Sequence, residues 1–122
     1  MAKKRVERRK FKRFQMPTSA FAGLGPYFGK VGRVVDLSMG GLSFRYMGAE
    51  EPDDSTYLDV FSSNDDFYLG KVSLETIWDA PLIPDVSSAA TLRRRGVWFR
   101  KLTSRQRSQL EHLIENYAIG EA

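Results

Sequence analysis

The sequence predicts an all-β fold, closed into a small antiparallel barrel of about six strands, followed by one C-terminal helix. Three observations carry this: short apolar runs broken by turn residues from Phe14 onward, period-two alternation inside those runs, and a switch to helical periodicity only after residue 103. At 122 residues, with 42% hydrophobic and 28% charged side chains, the chain has material for one core and enough charge for solubility. We expect one domain over 1–122, divided into a basic arm (1–13), a barrel (14–101) and a C-terminal helix (102–119).

Residues 1–13 hold eight Lys or Arg against the single acid Glu7 and little apolar content beyond Val6 and Phe11. Such a stretch buries too little surface to offset its ordering entropy, so a flexible arm is expected. Gly23, Gly25 and Pro26 mark the first break after Phe14. Phe28 to Leu37 reads as a strand, and Gly40-Gly41 turns it into a hairpin whose return strand alternates Leu42, Phe44 and Tyr46 with Ser43 and Arg45. The break at 48–55 is acidic and contains Pro52. Tyr57 to Phe61 is a short strand, and Asn64 to Asp66 the next turn. From Tyr68 to Trp78 the even positions Tyr68, Gly70, Val72, Leu74, Thr76 and Trp78 form one face and the odd positions the other, so the even face is expected to be buried. Residues 79–91, with Pro81, Pro84, Ser87 and Ser88, read as a surface loop before a last strand from Arg93 to Arg100.

Leu110, Leu113, Ile114, Tyr117 and Ala118 then fall at helical spacing and form a docking stripe. Thr103 followed by Gln106 fits a capping box, and Gly120 is the expected stop, giving a helix from Thr103 to about Ile119. A helix over an open barrel end is the economical way to cover it.

Composition removes several function classes. The chain has no Cys and one histidine, His112, so thiolate metal sites, thiol nucleophiles and His-rich metal cages are absent from it. No metal site is expected. Nothing supplies an activated nucleophile or a matched acid and base at recognisable spacing, and the expectation is a protein without enzymatic activity. No window approaches the ~18 apolar residues of a membrane span, nor does a signal peptide's apolar stretch follow Lys3, Lys4 and Arg5, so a cytoplasmic location without membrane insertion is expected. Charge lies in blocks: residues 50–66 hold seven acids and no base, and 93–107 hold seven bases and no acid. The two basic blocks could converge on an anion.

Two motifs stand out. Arg9 and Arg13 form RxxxR within Arg8-Arg9-Lys10-Phe11-Lys12-Arg13, and Asp36, Ser38 and Gly41 form DxSxxG within Asp36-Leu37-Ser38-Met39-Gly40-Gly41. Here the sequence resembles the PilZ domain family, whose members bind the bacterial second messenger cyclic di-GMP through these two motifs. The resemblance extends through ERRKFKRF at 7–14, DLSMGG at 36–41, Trp78, and GVWF at 96–99 before a C-terminal helix. It implies a six-stranded antiparallel barrel with a terminal helix, cyclic di-GMP as ligand and no other cofactor. Both motifs in this order, with one strand between them, make the match specific.

The residue chemistry stands beside the resemblance. An arginine fork can meet a phosphate bidentately or guanine O6 and N7, and its flat face can stack on a base. Asp36 and Ser38, two apart at a strand end, are expected to point the same way. A carboxylate there can accept from guanine N1 and N2, Ser38 could bond a phosphate or ribose oxygen, and Gly40 and Gly41 would permit close approach and expose amide donors. Arg8 is similar to an arginine that suits some family members to an intercalated ligand dimer, implying two ligand molecules per chain. Trp78 resembles an aromatic placed under a guanine, and is equally readable as core. Arg93 to Arg95 are readable as a phosphate-facing strip or as an exposed barrel face. The candidate ligand-binding residues are therefore Arg8, Arg9, Arg13, Asp36, Ser38, Gly40, Gly41 and Trp78. Arm ordering on ligand binding would signal to a downstream protein that the sequence does not identify. Two alternatives remain: a small basic barrel binding single-stranded nucleic acid, and a PilZ-like adaptor independent of nucleotide.

Overall fold

In the computed structural model, residues 11–48, 55–82 and 91–122 are described. The elements are β1 (Phe14–Gln15), β2 (Ala20–Gly25), β3 (Val31–Leu37), β4 (Gly41–Gly48), β5 (Tyr57–Ser62), β6 (Tyr68–Pro81), β7 (Thr91–Phe99), α1 (Ser104–Tyr117) and β8 (Gly120–Glu121). The strands pair antiparallel in the order β2-β5-β6-β7-β4-β3, and a β2–β3 pairing closes the ring into the expected six-stranded barrel. Closure leaves the main strands without a free edge. The short β1 extends from β3 beside Leu37 and Asp36, and β8 pairs outside it, so the chain's end braces the foot of the arm.

The barrel interior is filled by Leu24, Val34, Leu37, Phe44, Leu58, Val60, Leu69, Val72, Leu74 and Val97, with Leu110 and Leu113 of the helix joining the same core. The capping box forms as expected: Thr103 Oγ1 accepts from the Gln106 amide, and Gln106 Oε1 accepts from the Thr103 amide. Gln106 Nε2 also donates to the Gly70 and Lys71 carbonyls, pinning the helix start to β6. The helix stops at Tyr117, earlier than expected. Ala118 is already extended, and Gly120 belongs to β8.

Several expectations need correction. Gly23 and Gly25 lie inside β2, and the turn follows them, with a cis Gly25-Pro26 peptide and Phe28 at positive φ. Strand β3 consequently starts at Val31. Alternation in β6 does not run unbroken. One shift in its pairing with β5 falls around Gly70 and Lys71, where Lys71 has φ 53°, and another falls at Ile77 opposite β7. Each inserts a residue and reverses which parity faces inward. Hence Leu69, Val72 and Leu74 are buried, whereas Tyr68 is exposed and Trp78 turns outward.

The strand also runs to Pro81, through what reads in sequence as loop, because Asp79, Ala80 and Pro81 pair with Arg95, Arg94 and Arg93. Past the Ile77 shift Asp79 points inward. Arg93 and Arg95 do too, at 5% and 3% exposure, which corrects both readings of the arginine run for these two residues. Arg93 Nε donates to Asp79 Oδ1 at 2.9 Å, and Arg95 Nε and Nη2 donate to Oδ2 at 3.0 and 2.7 Å. The Tyr46 hydroxyl also donates to Asp79, and its ring lies under the Arg95 guanidinium, 5.4 Å away. Burial pulls the Asp79 carboxyl upward, but the Tyr46 hydroxyl and the two guanidinium groups outweigh it and hold the group below the usual carboxylate range. Burial, then the hydrogen bond to Asp79, pushes the Tyr46 hydroxyl above its ordinary value.

Candidate functional site

Strand pairing sets one row of residues across the outer face of the barrel. Gln15 pairs with Asp36, Asp36 with Ser43, Ser43 with Gly96, and Gly96 with Trp78. Two register shifts create this row. An extra residue at Val35 lets Val34 face the core while Asp36 faces outward, and the one at Ile77 does the same for Trp78. Asp36 and Trp78, on strands β3 and β6, are thus brought onto one surface.

Around the row the polar groups converge. Ser43 Oγ donates to Asp36 Oδ1 at 3.1 Å. Arg94, on the outer face between the two inward arginines, donates from Nη2 to Asp36 Oδ2 at 3.4 Å and to Ser43 Oγ at 3.1 Å. Its guanidinium also lies over the Trp78 ring, 5.6 Å from the centroid. Arg13 Nη1 approaches Asp36 Oδ2 at 3.8 Å, because the β1–β3 pairing carries residues 11–15 past the β3–β4 turn. Trp78 remains 42% exposed, so it is a surface ring and not core. A side chain at position 96 would run into the Trp78 indole, which is why the strand carries glycine there. Trp98 stands next along the same face of β7 and is 60% exposed.

Ser38 is placed differently from expectation. The strand ends at Leu37, and the Ser38 hydroxyl is bound into the turn: Oγ accepts from the Gly40 and Gly41 amides at 3.1 and 3.2 Å and donates to the Gly41 carbonyl. Those two amides, expected to be open donors, are occupied by Ser38. Neither glycine has positive φ. Space explains both: a Cβ at Gly41 would overlap the Val97 carbonyl oxygen of β7, and one at Gly40 would enter the Phe11 ring. Their role is to let the turn lie against β7 and the foot of the arm. Arg8 and Arg9, with the rest of residues 1–10 of the expected arm (1–13), lie outside the described residues.

Ser43 escaped the sequence reading, and Arg94 entered it only as part of a run readable as a phosphate-facing strip or an exposed barrel face. A signal existed for Arg94: three consecutive arginines in one strand cannot all face water when the interior is closed, and the middle one must oppose the outer two.

A family profile for the PilZ domain matches residues 7–116. The chain belongs to the PilZ domain family. No curated protein matches it. Among solved structures, this PilZ domain is similar to the PilZ domain of YcgR from Escherichia coli with c-di-GMP, at 16% identity and TM-score 0.64, covering 91% of this chain and 92% of that one. It is similar also to a crystal structure of E. coli YcgR in complex with c-di-GMP, at 20% identity and TM-score 0.65 over 90% of this chain. It spans 46% of that longer protein. The likeness establishes a shared fold. Among the described residues of this PilZ domain there is no cluster of three or more His, Cys, Asp or Glu able to hold a metal ion, and no helix long and apolar enough to cross a membrane.

Proposed function

We propose that this PilZ domain is a non-enzymatic, cytoplasmic receptor for cyclic di-GMP, acting as one unit over 1–122. The observation that carries the reading is the outer row that sets the Asp36 carboxylate, beside the Arg13 guanidinium at the foot of the basic arm, on one face with the exposed indole of Trp78. Each meets one part of such a ligand. Asp36 accepts from guanine N1 and N2, an edge that adenine and the pyrimidines do not reproduce. Trp78 offers a stacking surface worth about 1–3 kcal/mol per base. Arg13, with Arg9 and Arg8 of the same motif run, supplies forks for the phosphates and for guanine O6 and N7. Ser38, Gly40 and Gly41 shape the turn that holds Asp36 in place. The c-di-GMP present in both YcgR structures supports the same ligand here.

Each charge-assisted bond contributes about 1.5–3 kcal/mol, and ordering an arm residue costs about 1–2 kcal/mol. The terms are comparable, so tight binding requires several arginines at once. Ligand binding thereby orders the arm against the barrel and presents a new surface to a downstream protein. Arg8 brings a second ligand molecule.

Titration calorimetry with cyclic di-GMP tests the reading. Two sites per chain are expected, one after Arg8→Ala, and no heat after Arg9→Ala or Asp36→Ala. GMP or GTP binding equally well refutes it. A steep loss of affinity with salt, together with binding to single-stranded DNA, would point to a polyanion binder instead. Hydrogen exchange of residues 1–13 should slow with ligand, and unchanged protection rules out the arm as the switch.

A further inference from the structure

The Trp78 indole, though 42% exposed, already has two partners. Gly96 lies against the indole from within the sheet, and the Arg94 guanidinium lies over the ring at 5.6 Å. The same guanidinium reaches Asp36 Oδ2 and Ser43 Oγ. It thus presents a flat, delocalised group with N–H donors toward the carboxylate and a face toward the indole. That is the pattern a guanine base offers, with its N1 and N2 donors on one edge and its π-face alongside.

We infer that Arg94 is a resident stand-in for the base: it occupies the place between Asp36 and Trp78 in the ligand-free chain, and a guanine can stack on Trp78 only after displacing it. The inference rests on the function proposed above. Arg94 suits the role because its hold is modest on every side. Its side chain is about one-third exposed, its bond to Asp36 is long at 3.4 Å, and its contact with the ring is a cation–π interaction at a half-open site. When it leaves, Asp36 keeps Ser43 on Oδ1 and Arg13 near Oδ2, so the carboxylate retains a counter-charge while Oδ2 turns to the base. Until then, the stand-in keeps Asp36 paired and stays in contact with the Trp78 ring.

Competition for one place gives a kinetic and a static signature. A Trp98→Phe background leaves Trp78 as the sole tryptophan and fluorescent reporter, since the chain has two. In that background without ligand, Arg94→Gln and Arg94→Ala should raise iodide quenching of Trp78. Both should associate with cyclic di-GMP faster than the parent in stopped flow, on the order of fivefold, the factor matching loss of one cation–π contact. Departure of a one-third-exposed side chain is fast on the stopped-flow scale, so the parent's observed rate should stay linear in ligand with a lower slope than the variants'. Far-UV circular dichroism melts check that the variants fold; Arg94→Gln retains a polar group for Ser43 if Arg94→Ala does not. Unchanged quenching, or association slowed by either folded variant, overturns the inference and makes Arg94 a direct ligand contact. Failure of the unsubstituted chain to bind cyclic di-GMP in calorimetry overturns the receptor reading itself, and is read before any Arg94 variant is compared.

Discussion

Asp79→Asn isolates the energetics of the buried charge cluster. One carboxylate inside the barrel receives bonds from Arg93, Arg95 and Tyr46, and the side chains of the two arginines are 6% and 3% exposed. Removing the charge leaves two guanidinium groups, each nearly shielded from solvent, without the carboxylate they share. Breaking a buried pair in this way costs about 3–5 kcal/mol. Asn keeps one carbonyl oxygen to accept a bond, which sets the expectation at the lower end, about 3 kcal/mol. For a domain of this size that is a fall in Tm of roughly 10 °C. Urea denaturation at pH 7 gives the free energy directly, from a shift in midpoint at constant slope. Replacing Asp79, Arg93 and Arg95 together by Leu, Met and Met should cost less than Asp79→Asn alone, since an apolar set leaves no buried charge uncompensated. A loss below about 1 kcal/mol for Asp79→Asn, or a triple variant worse than the single one, would refute the view that this carboxylate balances two buried cations.

The remaining predictions concern the same framework. Asp79 is held below the usual carboxylate range when folded, so its stabilising effect is full above the unfolded value near pH 4 and is lost as the pH falls toward the depressed folded value; Tyr46, raised when folded, stabilises fully below about pH 10 and less above it. Melts across pH should show both flanks, and Asp79→Asn should flatten the acid one. Gly41→Ala drives a methyl into the Val97 carbonyl oxygen and should cost about 1–3 kcal/mol by the same urea assay. Ser38→Ala strips the Gly40 and Gly41 amides of their acceptor and should cost about 1–3 kcal/mol, with amide exchange at residues 38–41 quickened. Thr103→Ala removes the capping box and should cost about 1 kcal/mol, read as lower Tm with the barrel's near-ultraviolet signal intact below the transition.

By itself the sequence determined the class of fold, the hairpin at Gly40-Gly41, the helix start at Thr103 and the two motifs that point to the family. These are local signals: alternation, turn residues and caps act between residues a few positions apart, so the chain carries them wherever it goes. Only the tertiary structure decided which side chains face which way once a strand carries an extra residue. A single insertion at Val35 or Ile77 costs nothing visible in composition, yet it reverses the parity of everything beyond it. That is why Trp78, readable as core, stands outward, and why Asp79, readable as loop, anchors two buried arginines. The meeting of Arg94 with Asp36, 58 positions away, and with Trp78 on the neighbouring strand depends on strand order and register around a closed ring, which no local pattern encodes.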